Sequence, residues 1–337
     1  MLHRNNKIEG PGVEVESRRP FAAAAAYIRV ILQEREHFGR DLKMVPSSRL
    51  EDRNVKPTVF IHTNHKQIVG AIVSEYSMRR NTEHADEFDV RIIQTKDYPL
   101  LREVEGRKYL RDGFTRFWRY DDLQSFTTLR FIPPELMGYQ GRAVVVDPDV
   151  FAVGDVWELL TRDMEGGAIM CRPRSGSKEK RGFLATSVML LDCAKLTHWR
   201  WEEQFKAMFA LERDYMKWMC LQYEPRESIR LFEHEWNDFD RLTPATKMVH
   251  NTKRKTQPWK TGLPVDFLPP EKPGGLVPLG WFNRVRRRVF GDYAFLGHYT
   301  QHPDLKQEQF FFGLLRECAA TTRIIGIRAF ARGLLEL

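Results

Sequence analysis

Gly141-Arg-Ala-Val-Val-Val-Asp-Pro-Asp-Val-Phe-Ala-Val-Gly-Asp155 is the stretch that decides how the chain is read. Four apolar residues, Ala143 to Val146, have the look of a buried strand and end on two carboxylates, Asp147 and Asp149. In an open α/β sheet the carboxyl ends of the strands are where ligands bind. Two carboxylates one residue apart are costly there unless positive charge sits between them. A divalent cation is the simplest such charge. Hard oxygen ligands suit Mg²⁺ or Mn²⁺, which keep open positions for phosphate oxygens. The competing reading of the triplet is a solvated turn in which Asp147 or Asp149 caps the next helix.

Around this stretch the pattern alternates. Thr58-Val-Phe-Ile-His62 is rich in β-formers and predicts a first strand. Gln67 to Met78 carries Ile68, Ala71, Ile72 and Tyr76 at helical spacing. Asp89 to Ile93 predicts a second strand, and Leu123 to Leu136 a helix stopping near Pro133-Pro134. After the aspartates come a helix from Val156 to Leu160, a polar Gly/Ser-rich loop from Cys171 to Gly182, and a buried strand from Thr186 to Asp192. Trp199 to Leu221 reads as one long helix, and Lys247 to His250 as a short strand. Strands alternating with helices predict an α/β fold with a mostly parallel sheet.

The 337 residues suit one large domain with appendages, and 42% hydrophobic content is ample for a core. No apolar run approaches the ~20 residues that span a bilayer. Phe21 to Leu32 is shorter, is interrupted by Arg29, and reads as a buried helix behind a peripheral arm rather than as a signal peptide. The four cysteines are scattered without metal-like spacing, which implies a reducing compartment, packed thiols and no structural zinc. A net charge of +8 implies an anionic partner without choosing among nucleotide, nucleic acid and membrane. Prolines and glycines from Pro264 to Pro278 mark a linker. The chain therefore divides into an N-terminal arm and helix (1–56), a central domain (57–262) and a basic, aromatic C-terminal segment (263–337).

His250 opens a second informative run, Met248-Val-His-Asn-Thr-Lys-Arg-Lys-Thr-Gln-Pro-Trp259. A lone histidine after a strand is usually a polar core or surface residue. Here a cationic cluster and a Pro-Trp stop follow within ten residues. An imidazole can complete a carboxylate metal site, and lysines can neutralise a diphosphate.

With these motifs in hand, the chain resembles the GT-A-fold glycosyltransferases, most of all glycosyltransferase family 8, which includes glycogenin and bacterial lipopolysaccharide glycosyltransferases. Phe60-Ile-His-Thr-Asn64 resembles the family's first strand. Val144 to Leu159 resembles its metal-binding Asp-x-Asp motif and the segment after it. Ser187 to Asp192 resembles a later strand, and His250 to Trp259 its His-to-Pro-Trp motif. The resemblance covers roughly 57–262. It departs from the family in a His-to-Pro-Trp motif one residue longer, with Lys253 in place of glycine, and in Ala185-Thr-Ser187 where Asn-x-Gly is usual.

The resemblance implies a Rossmann-like, mostly parallel sheet flanked by helices, with a helical C-terminal extension. It implies a hexosyltransferase using Mn²⁺ or Mg²⁺ held by Asp147, Asp149 and His250. The donor would be a nucleotide sugar, UDP favoured and GDP allowed, held by Thr63, Asn64, Arg130, Asp147 and the cations Lys253 and Lys255. Which of Lys253, Arg254 or Lys255 reaches the phosphates is open. Retention of anomeric configuration is implied too, and with it a carboxylate near the anomeric carbon. Asp214, Asp192 and Glu212 are the candidates; the competing reading of Asp192 is a helix cap, and that of the other two a solvated helix face.

The acceptor would be a hydroxyl of a glycan, lipid-linked sugar or small molecule. Trp281 to Phe290 has the pattern of a basic amphipathic helix, suited to peripheral contact with an anionic membrane from the cytoplasm. Two other readings stand beside the transferase. One is a basic nucleic-acid-binding protein, against which the dispersed charge and lack of recognition spacing argue. The other is a degenerate protein of the same fold that binds nucleotide sugar without turnover.

Overall fold

A computed structural model describes residues 55–122, 125–174, 184–267, 289–291, 293 and 295–333, with side chains to 321. The chain divides into two compact units, Val45–Leu314 and a second made of Met1–Met44 with Leu315–Leu337. Of the second unit only helical residues 315–333 are described.

In chain order the first unit begins with β1 (Thr58–Thr63), α1 (Ile68–Arg80), β2 (Asp89–Gln94), α2 (Leu100–Glu103) and a hairpin of β3 (Lys108–Arg111) and β4 (Phe114–Phe117). A 3₁₀ helix, Ser125–Phe131, leads to α3 (Pro133–Leu136), β5 (Arg142–Val146), β6 (Val150–Ala152) and α4 (Val156–Leu160). Then come β7 (Ile169–Pro173), β8 (Leu184–Asp192), α5 (Trp201–Phe209), α6 (Tyr215–Met219), β9 (Ile229–Leu231), β10 (Asp238–Phe239) and β11 (Met248–His250). Helix α7 runs Leu305–Gly333. Among the described residues no helix is long and apolar enough to cross a membrane.

The central sheet has the order β2-β1-β5-β8-β7-β9. β2, β1 and β5 are mutually parallel, as are β7 and β9, and β8 alone runs against its neighbours. This is the mostly parallel α/β sheet that the sequence predicts. Every residue of β1 is buried, as are all but the first of β5 and all but the last of β8. Burial on both faces is why these strands read as continuous apolar runs. A smaller sheet, β10-β11-β6, stands at the carboxyl end of β5.

Helix α1 fixes β6 and the turn before it. Ser74 Oγ donates to the Val150 carbonyl at 2.6 Å, and Ser77 Oγ accepts from the Ala152 amide at 2.9 Å. Gly70 lets the helix approach the Asp147–Asp149 turn, since a Cβ there would lie 2.4 Å from the Pro148 carbonyl oxygen.

Several expectations are corrected. The long helix over Trp199 to Leu221 is two helices, α5 and α6. Leu211 between them takes a left-handed φ of 62°, and Asp214 caps α6 by accepting from the Met216 and Lys217 amides. Pro133-Pro134 starts the turn of α3 instead of ending a helix, because proline suits the first helical position. Cys171, Arg172 and Pro173 belong to β7, so the expected loop begins later. The arm and helix of 1–32, and most of the linker and the Trp281 to Phe290 segment, lie outside the described residues. All four cysteines are buried and none is in a disulfide, and burial pushes the Cys171 and Cys193 thiols up to about 12.

Candidate metal and donor site

Strand register assembles the site. Ile61 pairs with Val146 in the parallel β1–β5 ladder, so His62 comes level with Asp147. Val146 pairs with Val188 on the other side, and the Asp147 amide donates to the Ser187 carbonyl at 2.9 Å. In the small sheet His250 pairs with Val150, which sets it beside Asp149. Two neighbouring aspartates and a histidine about a hundred residues later thus converge: single ligand atoms of Asp147, Asp149 and His250 all lie within 4.8 Å of one another. His250 Nε2 is 3.3 Å from Asp149 Oδ1.

Neither aspartate caps the following helix. That task falls to Asp155, whose Oδ1 accepts the Trp157 amide at 2.8 Å. Helix capping is therefore not what the two carboxylates do.

Each is instead held by polar side chains. Arg130, on the 3₁₀ helix, donates from Nε and Nη2 to Asp147 Oδ1 at 3.0 and 2.7 Å and from Nη2 to Oδ2 at 2.5 Å. Its Nη1 donates to Thr186 Oγ1 at 2.9 Å. His62 Nε2 stands 2.8 Å from Asp147 Oδ1. Burial alone would raise the Asp147 carboxyl, but Arg130 and His62 hold it well below the usual carboxylate range. His62 is lowered chiefly by its own burial, only partly offset by Asp147. Arg130 Nε also lies 3.3 Å from His62 Nε2, and the buried His62 Nδ1 has no partner among the described residues.

His250 shows the orientation a metal ligand needs. Its Nδ1 is 3.0 Å from Asn237 Oδ1, and Asn237 Nδ2 donates to Ser187 Oγ at 2.9 Å. The fixed Nδ1–H leaves Nε2 facing the aspartates, the arrangement that sets a metal-binding tautomer. Burial would lower the His250 pKa, yet Asp149 overcomes it and raises the net value. Asp149 Oδ2 accepts from Gln257 Nε2 at 3.1 Å, and Gln257 Oε1 accepts from Gln67 Nε2 at 3.0 Å. Two hard carboxylates and an oriented imidazole fit a divalent cation of the Mg²⁺ or Mn²⁺ type, and the buried acceptors Gln67 Oε1 and Asn251 Oδ1 have no partner among the described residues.

The other sequence candidates are placed differently. Thr63 and Asn64 are buried at the end of β1. Thr63 Oγ1 donates to the Asn64 carbonyl at 3.1 Å, and Asn64 Nδ2 donates to the Asp122 carbonyl at 3.2 Å. Lys253 and Lys255 are exposed. Asp192 pairs with Arg142, at the opposite end of β5 from Asp147, and its carboxylate meets Lys195 at 3.1 Å. The register therefore does not bring it to the triad. Glu212 is exposed. Asp214 is buried, with Oδ1 accepting from the Met216 and Lys217 amides and Oδ2 from the Gly113 amide.

His62, Asn237, Gln257 and Lys260 are site-lining groups not picked out from the sequence. A histidine inside the apolar run Thr58 to His62 was a signal, because a polar side chain in a buried strand requires a partner. Asn237 and Gln257 left none.

No protein-family model matches the sequence, and no curated protein matches it. Solved structures show weaker likeness. The bifunctional glycosyltransferase WbbM, in its apo form, aligns over 65% of this chain and 48% of its own, at 12% identity and a TM-score of 0.42. The glycosyltransferase GlyE of Streptococcus pneumoniae TIGR4, also apo, aligns over 79% of this chain and 64% of its own, at 10% identity and a TM-score of 0.43. The galactosyltransferase LgtC, in complex with donor and acceptor sugar analogs, aligns over 72% and 97%, at 12% identity and a TM-score of 0.38. The chain thus spans about half of WbbM and under two thirds of GlyE. At such scores the likeness is weak, and function is read from the site's own residues.

Proposed function

We propose that this chain is a metal-dependent glycosyltransferase of the GT-A type, similar to family 8, that moves a hexose from a nucleotide sugar to a hydroxyl acceptor. The observation that carries the reading is the Asp147–Asp149–His250 cluster at the carboxyl end of β5. Three ligands so close, with no capping duty and with His250 oriented through Asn237, make a site for a divalent ion. When bound there, such an ion neutralises the charge that develops on a departing nucleoside diphosphate.

The chain's own groups have definable parts. Arg130 and His62 hold the Asp147 carboxylate in place and charged. Asn237 fixes the imidazole, and Gln257 and Gln67 hold Asp149 through their amides. Thr63 and Asn64, buried at the end of β1, would contact the nucleoside, as the resemblance implies. Exposed Lys253 and Lys255 would attract the anionic donor at long range. UDP is the favoured nucleotide and retention the favoured outcome, both through the family resemblance. Asp192, Glu212 and Asp214 are given no chemical step, given the far position of Asp192, the exposure of Glu212 and the capping bonds of Asp214.

The test is release of nucleoside diphosphate from UDP-glucose, UDP-galactose and GDP-mannose with Mn²⁺. One donor should turn over, and Asp149→Asn should lower the rate by at least about 100-fold. Binding of a donor without turnover by the wild type would favour the degenerate alternative. No binding of any of them would overturn the reading.

A further inference from the structure

A cavity of about 350 Å³ opens at the end of β11 away from the metal triad, and the proposed function leaves it unused. It is lined by Glu158 and Arg162 at the end of α4, by Glu233, Glu235 and Trp236 around the 3₁₀ turn His234–Asn237, and by Ala245 and Lys247 just before β11. His250 lies three residues beyond Lys247, about 10 Å along the strand. The volume falls within the ~300–1,000 Å³ of small-molecule sites.

The surrounding backbone holds this cavity in shape. The Lys247 amide donates to the Glu235 carbonyl at 2.9 Å, and the Lys247 carbonyl accepts from the Val153 and Gly154 amides at 2.8 and 2.9 Å. Gly154 gives the lysine stem its path, since a Cβ there would lie 2.6 Å from Lys247 Cδ. Lys247 Nζ then reaches the two Glu158 oxygens at 2.9 and 2.8 Å and stands 5.8 Å from the centre of the Trp236 ring. Arg162 grips Glu233 with Nη1 and Nη2 at 2.5 and 2.6 Å. The Glu235 carboxylate makes no hydrogen bond or ion pair among the described residues, and its charge is felt by Arg172 at longer range.

This lining discriminates among ligand chemistries. Three carboxylates against two cations repel an anion, and each cation is already held by a carboxylate. Glu158 and Glu233 are 53 and 56% exposed, so their remaining lone pairs are open to a ligand. An ionised carboxylate accepts at about four positions, a guanidinium has five N–H donors and an ammonium three. The two ion pairs therefore keep spare donors beside spare acceptors, with the unpaired Glu235 acceptor among them. A hydroxyl donates and accepts at once, so a polyhydroxylated ligand uses both halves of the set. An organic cation would use the carboxylates alone. Trp236 and Ala245 add apolar surface for the C–H groups of a sugar ring.

We propose that this cavity is an accessory saccharide site, taking a neutral mono- or disaccharide unit of a glycan apart from the metal centre. The site stands on its lining alone. Naming the bound glycan as acceptor or product of transfer rests on the proposed function.

The test is saturation-transfer NMR titration of the neutral disaccharides maltose, lactose and cellobiose, without nucleotide or metal, against wild type, Ala245→Trp, Glu235→Ala and Asp149→Asn. At least one disaccharide should bind wild type with a Kd on the order of 1 mM. Ala245→Trp, which fills the cavity from an exposed position, should weaken binding by about tenfold or more, and Glu235→Ala, which removes a charged acceptor, by about tenfold. Asp149→Asn should bind like wild type. Binding of no disaccharide, or binding that folded Ala245→Trp leaves unchanged, would overturn the proposal. Should Ala245→Trp not fold, unchanged binding by Glu235→Ala would overturn it instead. Binding lost in Asp149→Asn would place the sugar at the metal centre and also overturn it. Spermidine that binds where no disaccharide does would replace it with a cation site. Failure of the transferase reading would show separately, as disaccharide binding that persists in a protein that turns over no nucleotide sugar.

Discussion

Arg130 grips Asp147 through two nitrogens, with Nε 3.0 Å from Oδ1 and Nη2 2.7 Å from Oδ1 and 2.5 Å from Oδ2. The side chains are 11% and 12% exposed, so the pair is largely withdrawn from water. A buried ion pair adds little net stability, but removing one partner strands the other. Arg130→Met should therefore cost about 3 kcal/mol in urea unfolding without metal. Added Mn²⁺ should restore part of the loss, because the ion supplies the missing charge. An equal loss with and without Mn²⁺ would mean that no ion reaches Asp147.

Gly70→Ala tests how α1 shapes the metal turn. The added methyl would meet the Pro148 carbonyl at 2.4 Å and Trp259 Cζ2 at 3.1 Å. Backbone must move, which costs about 1–3 kcal/mol, and what moves is the link between Asp147 and Asp149. Mn²⁺ affinity, measured by calorimetry, should fall by about tenfold or more. Unchanged affinity would show that the turn adapts.

Asn237→Ala removes the acceptor of the His250 Nδ1 proton and the donor to Ser187 Oγ. Outer partners of this kind are typically worth about 10–100-fold in metal affinity. The same titration should show a loss in that range, with the thermal unfolding transition still cooperative. A variant that binds Mn²⁺ like wild type would remove Asn237 from the account.

Asp214 gives a prediction in pH. Its burial would raise the carboxyl, but backbone amides, that of Gly113 first, outweigh this and hold it below its ordinary value of 3.8. A lowered folded value means that stability is present above the ordinary value and lost as pH falls through the folded one. Asp214→Ala should cost about 1–2 kcal/mol at neutral pH, and the gap to wild type should narrow from about pH 4 downward. Asp214→Asn, which keeps a capping oxygen, should retain glycosyl transfer; loss of transfer in a stable Asp214→Asn protein would return Asp214 to the chemistry.

The strands that shape the site were legible because burial on both faces leaves an unmistakable apolar run, as in Val144 to Val146 and Val188 to Leu191. Asp147, Asp149 and His250 were legible because polar ligating groups end those runs. The short strands β6, β7, β9 and β10 were not, since a strand of two to five residues is specified by its partners more than by its own pattern. The break between α5 and α6 was missed because aromatic and Met residues keep helical spacing across it, while Leu211 adopts a backbone conformation that leucine composition does not announce. Asn237 and Lys260 act through tertiary contacts with residues 13 and 6 positions away, which no local spacing reveals.

The most direct measurement is calorimetric titration of UDP and GDP, with and without Mn²⁺, into wild type and Asp149→Ala. The account predicts that one nucleotide binds only when Mn²⁺ is present and that Asp149→Ala abolishes this binding. Nucleotide binding indifferent to both Mn²⁺ and Asp149, or no binding at all, would contradict it.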